Sequence, residues 1–389
     1  MRIIRAREGE SIYAIAAECG IAPQLLKEIS GVDGRTVNEG REIGAYTPSR
    51  SYVVRTGDSL CSICERFGVR EREVVRLNPE LADGRLYRGQ YLALGLCEGK
   101  VGALAVNGYM YRGCTGARMR AVLPYLNTLT VAAARATGKD IRIDGGMVEA
   151  ARIARGAGVS PYLRIYLDGG TDSPAELAIG CVMMARTHGF DGVVLGGLSR
   201  LGRAACELTV EARRRTMEDG LTLGVEGELG GEGEYTEYAD FCILTYDKLH
   251  LDRIPSLADG ERAALERYAE KYEILGAMID LPAFAISRGG YVSRERAIAV
   301  GDRRGGKFEH ADGGGYMRVS RGRESLLCEN TENVEARIRM AAEYGMLGVS
   351  FDVSRLPFSE VYMTGAMVSA PCNFVRCEPT LDCRGEQRK

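Results

Sequence analysis

The sequence contains no tryptophan, no long apolar run and almost no net charge. Without tryptophan it lacks the indole ring on which sugar clefts commonly stack their ligands, which disfavours binding of a long oligosaccharide in such a cleft. No run approaches the roughly 20 apolar residues of a membrane-spanning helix, and the charged residues 1–8 do not resemble a signal peptide. A net charge of −2 favours neither nucleic acid nor an anionic membrane as partner. We therefore expect a soluble globular protein that is made inside a cell.

Histidine is scarce as well, with three residues in the chain. His250 has a possible second ligand in Asp252, but no third partner is visible, so we predict no metal site. The glycines at 313–315 are not followed by a helix start and are typical of a turn rather than a phosphate loop. We predict no cofactor.

Cysteine is abundant, with twelve residues, and most of them lie singly in apolar stretches as small hydrophobic side chains do. Cys61 and Cys64 have the spacing of a redox or zinc half-site, but no second pair follows. The polar C-terminal tail carries Cys372, Cys377 and Cys383, which suggests cross-linking between molecules as a hypothesis.

The first 95 residues contain an internal repeat with a period of 48. Residues 9–12 align with 57–60, and Gly20 aligns with Gly68. A serine in each aligned segment predicts a helix N-cap, and each glycine predicts the end of that helix. Both units are predicted to run strand, helix, helix, strand.

This pattern is similar to the LysM module, which binds N-acetylglucosamine chains such as peptidoglycan and chitin. The second copy matches closely, whereas the first has Ser30 where the second has Asn78. The resemblance implies a shallow sugar groove between the first strand–helix turn and the loop after the second helix. It places in that groove Glu10, Ser11 and Ile12 of copy one, and Asp58, Ser59, Leu60, Asn78 and Pro79 of copy two.

From Lys100 onward, apolar strands alternate with helical stretches, the pattern of a parallel α/β sheet. The candidate strands are residues 102–110, 126–132, 162–167, 192–198, 222–229, 241–246, 274–279 and 348–353. Eight strands over this length predict a (β/α)8 TIM barrel, and the long gap at about 280–332 predicts a small α+β insertion after strand seven. The expected domains are two βααβ modules at 1–48 and 49–96, the barrel at 97–370 and a tail at 371–389.

The whole layout resembles that of bacterial spore cortex-lytic glycosidases with a family 18, chitinase-like barrel. The matching segments are 106–109, 189–192, 244–247 and 333–350. In this family the fourth strand carries the motif Asp-Gly-x-x-x-Asp-x-Glu, and the final Glu is the proton donor. Here Asp191 and Gly192 fit, but Gly196 and Leu198 stand at the two later acid positions. The motif is degenerate.

Loss of these acids predicts a barrel that does not catalyse. Because side chains alternate along a strand, Val194, Gly196 and Leu198 are expected to face the barrel interior, where none can transfer a proton. Tyr246 and Asp247 are retained on strand six, where the resemblance implies that the tyrosine steadies the reactive acetamide.

Relocated acids are the alternative. Glu226 and Glu228 lie two apart on strand five, and Asp168 ends strand three, all toward the rim where barrels keep their chemistry. We predict a protein that binds peptidoglycan or another N-acetylglucosamine polymer without cleaving it and is deposited on the spore cortex or coat. The two alternatives are an active glycosidase with relocated carboxylates, and a coat protein that is joined to coat partners through its tail cysteines.

Overall fold

The structure is a computed structural model that describes residues 2–97, 99–229, 231, 233–245, 257–310 and 315–369. Several residues singled out above lie outside these ranges: Tyr246, Asp247, His250, Asp252 and the tail cysteines Cys372, Cys377 and Cys383. Within the described ranges, no helix is both long and apolar enough to cross a bilayer.

The N-terminal repeat folds as two βααβ units, as predicted. The first consists of β1 (Arg2–Arg5), α1 (Ile12–Cys19), α2 (Pro23–Ser30) and β2 (Glu42–Ala45). The second consists of β3 (Pro48–Val53), α3 (Leu60–Phe67), α4 (Glu71–Leu77) and β4 (Tyr91–Leu96). In each unit the two strands pair antiparallel, so the two helices are held against one small ribbon.

The predicted helix caps are present in both units. The hydroxyl groups of Ser11 and Ser59 accept the amides of Ala14 and Ser62 at 3.1 Å, which satisfies one free donor of each first helical turn. Gly20 and Gly68 end these helices in the left-handed region, with φ of 66° and 63°, where a side chain would be strained.

The rest of the described chain is built on a parallel barrel. Its strands are β5 (Gly102–Ala103), β6 (Ala105–Met110), β7 (Thr128–Thr137), β8 (Asp140–Ile143), β9 (Ser160–Leu167), β10 (Gly192–Gly196), β11 (Thr222–Glu228), β12 (Phe241–Thr245), β13 (Ala277–Asp280), β14 (Phe284–Ser287), β15 (Gly290–Ser293), β16 (Lys307–His310), β17 (Tyr316–Arg321), β18 (Glu324–Glu329), β19 (Gly348–Asp352) and β20 (Val368–Ser369). Its helices are α5 (Gly116–Val122), α6 (Gly145–Gly156), α7 (Pro174–Thr187), α8 (Arg203–Asp219), α9 (Leu257–Ala269), α10 (Arg294–Asp302), α11 (Thr331–Glu343) and α12 (Phe358–Met367).

Eight of these strands close the barrel in chain order: β6, β7, β9, β10, β11, β12, β13 and β19. Strand β6 pairs in parallel with both β7 and β19, which joins the two ends of the sheet. All eight predicted strands are present, and the (β/α)8 prediction is confirmed. Side chains point alternately into and out of the barrel along each strand. The inward-pointing side chains fill the interior and include Tyr162, Val194, Phe241, Ile243 and Met278.

The predicted insertion after the seventh strand is also present. Strands β14 to β18 form a five-stranded antiparallel sheet in the order β15-β14-β18-β17-β16, and α10 packs on it. A small separate core with Phe308 and Val319 holds this sheet together.

The two N-terminal units are attached to the barrel in different ways. Side chains of the first unit, such as Ile15 and Leu26, belong to one continuous core with the barrel and its helix α12. The second unit has its own core around Ile63 and Leu92. The first unit also meets the insertion, where buried Arg41 donates to the Asp302 carboxylate at 2.9 Å. It is therefore held in a fixed orientation relative to the barrel.

Candidate functional site

A cavity of about 420 Å³ opens at the C-terminal ends of the barrel strands, the edge where such barrels carry their sites. Tyr109, Tyr111 and Phe284 supply aromatic walls, and Arg164 and Glu226 lie on one side. The remaining walls carry carboxylates and the Thr245 hydroxyl group.

Three of these side chains form a polar bridge across the barrel mouth. The carboxylate of Glu226 accepts two hydrogen bonds from the Arg164 guanidinium, at 2.5 Å from Nε and 2.7 Å from Nη2. Its Oε1 also accepts the Tyr109 hydroxyl at 2.8 Å. Tyr109 stands on β6 and Glu226 on β11, which are four strands apart in either direction around the barrel. The bridge therefore spans the full mouth.

The electrostatics of the bridge favour a charged pair beside a neutral phenol. Burial lowers the pKa of Arg164, but the charge and hydrogen bonds of Glu226 outweigh it, so the pKa of this guanidinium is raised. Burial and the negative charge of Glu226 raise the pKa of Tyr109 well above its usual value. Glu226 thus serves as the acceptor of all three hydrogen bonds in the bridge.

Gly196, the last residue of β10, is where the bridge crosses the fourth strand. A Cβ atom at this position would lie 2.3 Å from Glu226 Oε2 and 3.1 Å from Arg164 Nη2. The carboxylate from strand five thus occupies the space above strand four where a side chain would otherwise project. Only glycine is compatible with this arrangement.

Leu198 does not share the inward face, contrary to the expectation from alternation. Strand β10 ends at Gly196, Gly197 adopts a positive φ of 83°, and Leu198 begins a 3-10 turn. Its fully buried side chain packs in the core outside the strands, whereas Val194 lies in the barrel interior as expected. Because Gly197 has a left-handed conformation, the strand ends before it, and the side chains after it no longer alternate between the two faces of the sheet.

The other predicted acids are dispersed. Glu228 is exposed at the cavity rim, where its Oε1 accepts the Ser199 hydroxyl group at 3.4 Å. Asp168 lies outside the cavity, and Arg135 donates to its two oxygens at 2.9 and 3.1 Å. Asp191 precedes β10 at the opposite end of the barrel and pairs with Arg155. Of the alternative acids, Glu226 and Glu228 come together at the cavity and Asp168 does not.

Two further carboxylates line the cavity that the sequence did not single out. Asp280 ends β13 and Asp352 ends β19, so both project at the same rim as Glu228. The available signal was their place at the end of a predicted strand, with Asp280 directly after 274–279 and Asp352 near the end of 348–353. Parallel strands bring such ends to one edge of the sheet. Within the described residues, no group of three or more His, Cys, Asp or Glu side chains is placed to hold a metal ion.

In the N-terminal units, several predicted groove residues have a structural role. Asp58 accepts the Tyr52 hydroxyl group and the Arg55 amide at 2.7 Å, and these hydrogen bonds lower its pKa. In the first unit the Glu10 carboxylate accepts the Arg7 amide at 2.8 Å. The Ile12 side chain is fully buried on the core face of α1, so only the backbone of this residue is in a position to line the predicted groove.

The Asn78 side chain has a structural role as well. It is fully buried, donates to the carbonyls of Val74 and Ala93 at 2.7 and 2.8 Å, and accepts the Ala93 amide at 2.7 Å. Asn78 thus joins the end of α4 to β4, while half-buried Pro79 begins the following turn.

We expect Asn78→Ala to destabilise the second unit by roughly 2 kcal/mol, because it leaves three buried backbone groups without partners. The matched change is Ser30→Ala in the first unit, which removes a hydrogen bond from the hydroxyl group to the Leu26 carbonyl and should cost less than ~1 kcal/mol. Denaturant unfolding followed by hydrogen exchange checks both values. Equal costs would contradict the structural role of Asn78.

Backbone hydrogen bonds cross the predicted groove of the first unit. The Ile12 amide donates to the Arg35 carbonyl at 2.9 Å, and the Val37 amide donates to the Glu10 carbonyl at 2.9 Å. In the second unit Leu60 is the first residue of α3, and the amides of a first helical turn have no acceptor within their own helix. The Leu60 amide is therefore a candidate donor to a ligand in the predicted groove.

If the Leu60 amide donates to the glycan, Leu60→Pro weakens binding of a chitin oligomer about tenfold, the worth of one hydrogen bond. Leu60 is the first residue of α3 and Ser59 is extended, so proline is tolerated there and removes the N–H group. Leu60→Ala is the control, since it shortens the same side chain and keeps the amide. Titration calorimetry of both variants should show a loss in the proline variant alone, and equal affinities would contradict the assignment.

Comparison with known proteins agrees with this architecture. The LysM domain family model matches residues 4–43 and 52–95. The membrane-bound lytic murein transglycosylase D of Escherichia coli is 30% identical over 93 residues, which is 21% of either chain, so this chain spans about a fifth of that relative.

Solved structures extend the likeness to the barrel. The spore cortex-lytic enzyme SleL of Bacillus cereus superposes with a TM-score of 0.69 at 16% identity, over 95% of this chain and 98% of that one. A chitinase from Chromobacterium violaceum superposes with a TM-score of 0.56 at 16% identity, over 68% of this chain and 99% of that one. The chain consists of two LysM domains followed by a (β/α)8 barrel of the fold seen in these two enzymes.

Proposed function

We propose that this protein binds peptidoglycan, or a related N-acetylglucosamine polymer, through its LysM domains and does not cleave it. The barrel then serves as a rigid scaffold with a binding cavity of its own. In this proposal the protein belongs to a spore or cell-wall layer, as an adaptor between that layer and other components.

The observation that carries the proposal is the bridge over Gly196. A proton donor must have a protonated carboxyl that is free to reach the glycosidic oxygen. On the fourth strand no side chain projects into this place, and the neighbouring carboxylate of Glu226 accepts three hydrogen bonds from Arg164 and Tyr109. An acceptor held in this way is unsuited to donate a proton.

The proposed location in a spore or cell-wall layer is supported by the LysM domains and by the layout shared with the spore cortex-lytic enzyme. The similarity to a murein transglycosylase over 93 residues is consistent with a wall polymer as the ligand. The position of Leu60 at the start of α3, where backbone amides have no acceptor within the helix, supports glycan binding by the second domain.

An active glycosidase is the second candidate, and one observation favours it. Glu228, Asp280 and Asp352 all border the cavity, so carboxylates other than Glu226 stand at the rim. Glycosidases need two carboxyl groups at a defined separation across the sugar, or one with an assisting acetamide. This candidate requires one of the three to be the donor.

The test is a pull-down with purified insoluble peptidoglycan and spore cortex, assayed in parallel for released reducing ends and muropeptides. We expect binding that Leu60→Pro weakens, and no release above the buffer control. Release that is abolished by Glu228→Gln, Asp280→Asn or Asp352→Asn, and not by Leu60→Pro, would replace the adaptor proposal by the enzyme. Absence of binding would refute both.

A further inference from the structure

A second cavity, of about 380 Å³, lies where the first LysM unit meets the rest of the molecule. Its walls are the loop at residues 31–38 after α2, the helix α10 of the insertion, and the start of α12 at residues 357–359. We call it the interdomain cavity. Clefts between domains are common places for ligand sites.

Polar contacts hold the walls of the interdomain cavity in place. The Asn38 side-chain amide donates to the carbonyls of Gly301 and Arg303 at 2.6 and 3.0 Å, which joins the loop to the end of α10. The buried pair Arg294 and Glu360, with Nε 2.8 Å from Oε2, joins α10 to α12. The cavity is therefore preformed by the fold, as ligand sites usually are.

The charges around the interdomain cavity are of both signs. Buried Arg41 donates to the Asp302 carboxylate at 2.9 Å. The other charged residues of the described lining are Asp33, Glu295 and Arg303. Beside them, Arg118 Nη1 lies 3.7 Å from Glu295 Oε1. Within the described residues, three guanidinium groups thus stand with three carboxylates, and this balance favours a neutral polar ligand over an ion.

Apolar side chains and one aromatic ring complete the lining. Val32 of the loop and Ile298 of α10 are 7% and 6% exposed, and the half-buried ring of Phe358 stands at the start of α12. Tyr125 contacts this ring edge-on with centroids 5.8 Å apart, and the Arg118 guanidinium lies 5.9 Å from its centre, so the ring has a fixed orientation. Such a surface suits the C–H face of a sugar ring.

The interdomain cavity adjoins the predicted sugar groove of the first unit at Thr36. This residue forms an isolated antiparallel bridge with Ser11, so the loop at 35–37 lies beside residues 10–12 of the groove. Exposed Thr36 also lines the cavity, as does half-buried Ser359 of α12. Both hydroxyl groups are of the kind that exchange hydrogen bonds with sugar hydroxyls. A glycan in the groove that extends past Thr36 therefore enters the cavity.

We propose that the glycan site of the first LysM unit extends into the interdomain cavity, which binds one further N-acetylglucosamine unit of the same strand against Ile298 and Phe358. The inference rests on the proposed function for the identity of the glycan. The balanced charges favour this neutral sugar over a muramic acid unit, which carries a carboxylate. The insertion and α12 then take part in glycan recognition together with a domain to which they do not belong.

The first experiment fills the cavity from the α10 wall, where exposed Ala299 is part of the lining. In a Leu60→Pro background, which removes the candidate donor of the second unit, Ala299→Trp should lower the affinity for a chitin oligomer about tenfold in titration calorimetry, as for one or two lost hydrogen bonds. Arg296→Trp is the matched control, because Arg296 is exposed on the same helix and pairs with Glu324 at 3.3 Å. It should leave the affinity unchanged. Circular dichroism melts that match the parent chain show that both variants are folded.

The second experiment uses the absence of tryptophan from the chain. Phe358→Trp places a single indole at the interdomain cavity, and Arg296→Trp places one outside it. Binding of the chitin oligomer should shift the emission of the first indole to shorter wavelengths, because the sugar excludes water from it, and should leave the second unchanged. The shift should persist when Leu60→Pro is added.

The outcomes separate this inference from the proposed function. An affinity that Ala299→Trp does not lower, or an indole at 358 that does not respond to bound glycan, overturns the inference and leaves the proposed function standing. Loss of all binding in Leu60→Pro assigns the glycan to the second unit alone and overturns the inference as well. Absence of binding by the unmodified chain refutes both.

Discussion

Replacing Glu226 by glutamine is expected to lower the free energy of unfolding by about 3–5 kcal/mol, the usual cost of breaking a buried ion pair from one side. The side chains of Arg164 and Glu226 are only 13% and 14% exposed, so the substitution leaves a largely buried guanidinium without a counter-charge. Tyr109 keeps an acceptor in the amide oxygen, and the loss falls mainly on Arg164. Denaturant titration at neutral pH measures the change.

Glu228→Gln is the matched control, because Glu228 stands two residues later on the same strand and is exposed at the rim. It should change the free energy of unfolding by less than ~0.5 kcal/mol. The double variant Arg164→Gln, Glu226→Gln should recover part of the loss, since it removes both charges together. Similar stabilities for Glu226→Gln and Glu228→Gln would contradict the structural role of the bridge.

Gly196→Ala is expected to cost about 3 kcal/mol, at the upper end of the range for overpacking a filled interior. The added Cβ would approach Glu226 Oε2 to 2.3 Å and Cδ to 2.9 Å. The carboxylate has no room to yield while Arg164 and Tyr109 hold it, so the bridge must open or the strand must shift.

A double-mutant cycle tests this cause. In a Glu226→Ala background the clash is absent, and Gly196→Ala should then cost less by at least ~1 kcal/mol. Gly197→Ala does not serve as a control, because that residue has a positive φ of 83° and an alanine there is strained regardless of space. If the free-energy costs of Gly196→Ala and Glu226→Ala simply add in the double variant, the close packing of the two residues is contradicted.

The same geometry bears on attempts to restore catalysis. Leu198→Glu places the new carboxyl group in the core between strand and helices rather than in the barrel, since Leu198 begins a 3-10 turn. Gly196→Asp displaces the bridge before it can orient a sugar. We therefore expect neither substitution to produce hydrolysis of chitin oligomers.

Much of the fold was predictable because local rules and the global architecture agree. The strand–helix–helix–strand repeat follows from Ser11 and Ser59 as caps and Gly20 and Gly68 as helix ends. The barrel was predicted from eight apolar strands separated by helical stretches, over a length typical of a (β/α)8 barrel. The loss of acids on strand four was also apparent from the residues themselves.

The candidate site was less predictable, because its contacts join distant parts of the chain. Tyr109, Arg164 and Glu226 come from the first, third and fifth strands, and no local pattern links them. The alternation of side chains along a strand correctly predicted that Val194 faces the barrel interior. The same prediction was wrong for Leu198, because a left-handed glycine ended the strand two residues earlier than expected. The role of Asn78 depended on β4, fifteen residues away in the chain.

The sequence by itself determined the two LysM units, the eight-stranded barrel, the insertion and the absence of an acid at Gly196 and Leu198, since caps, periodicity and residue chemistry are local properties. Only the tertiary structure decided that Glu226 is tied to Arg164 and Tyr109, that Asp280 and Asp352 share its cavity, and that the Ile12 amide is bonded to the Arg35 carbonyl in the first LysM unit. Those facts depend on which residues barrel closure and domain packing bring within hydrogen-bond distance, and spacing along a single chain does not encode that distance.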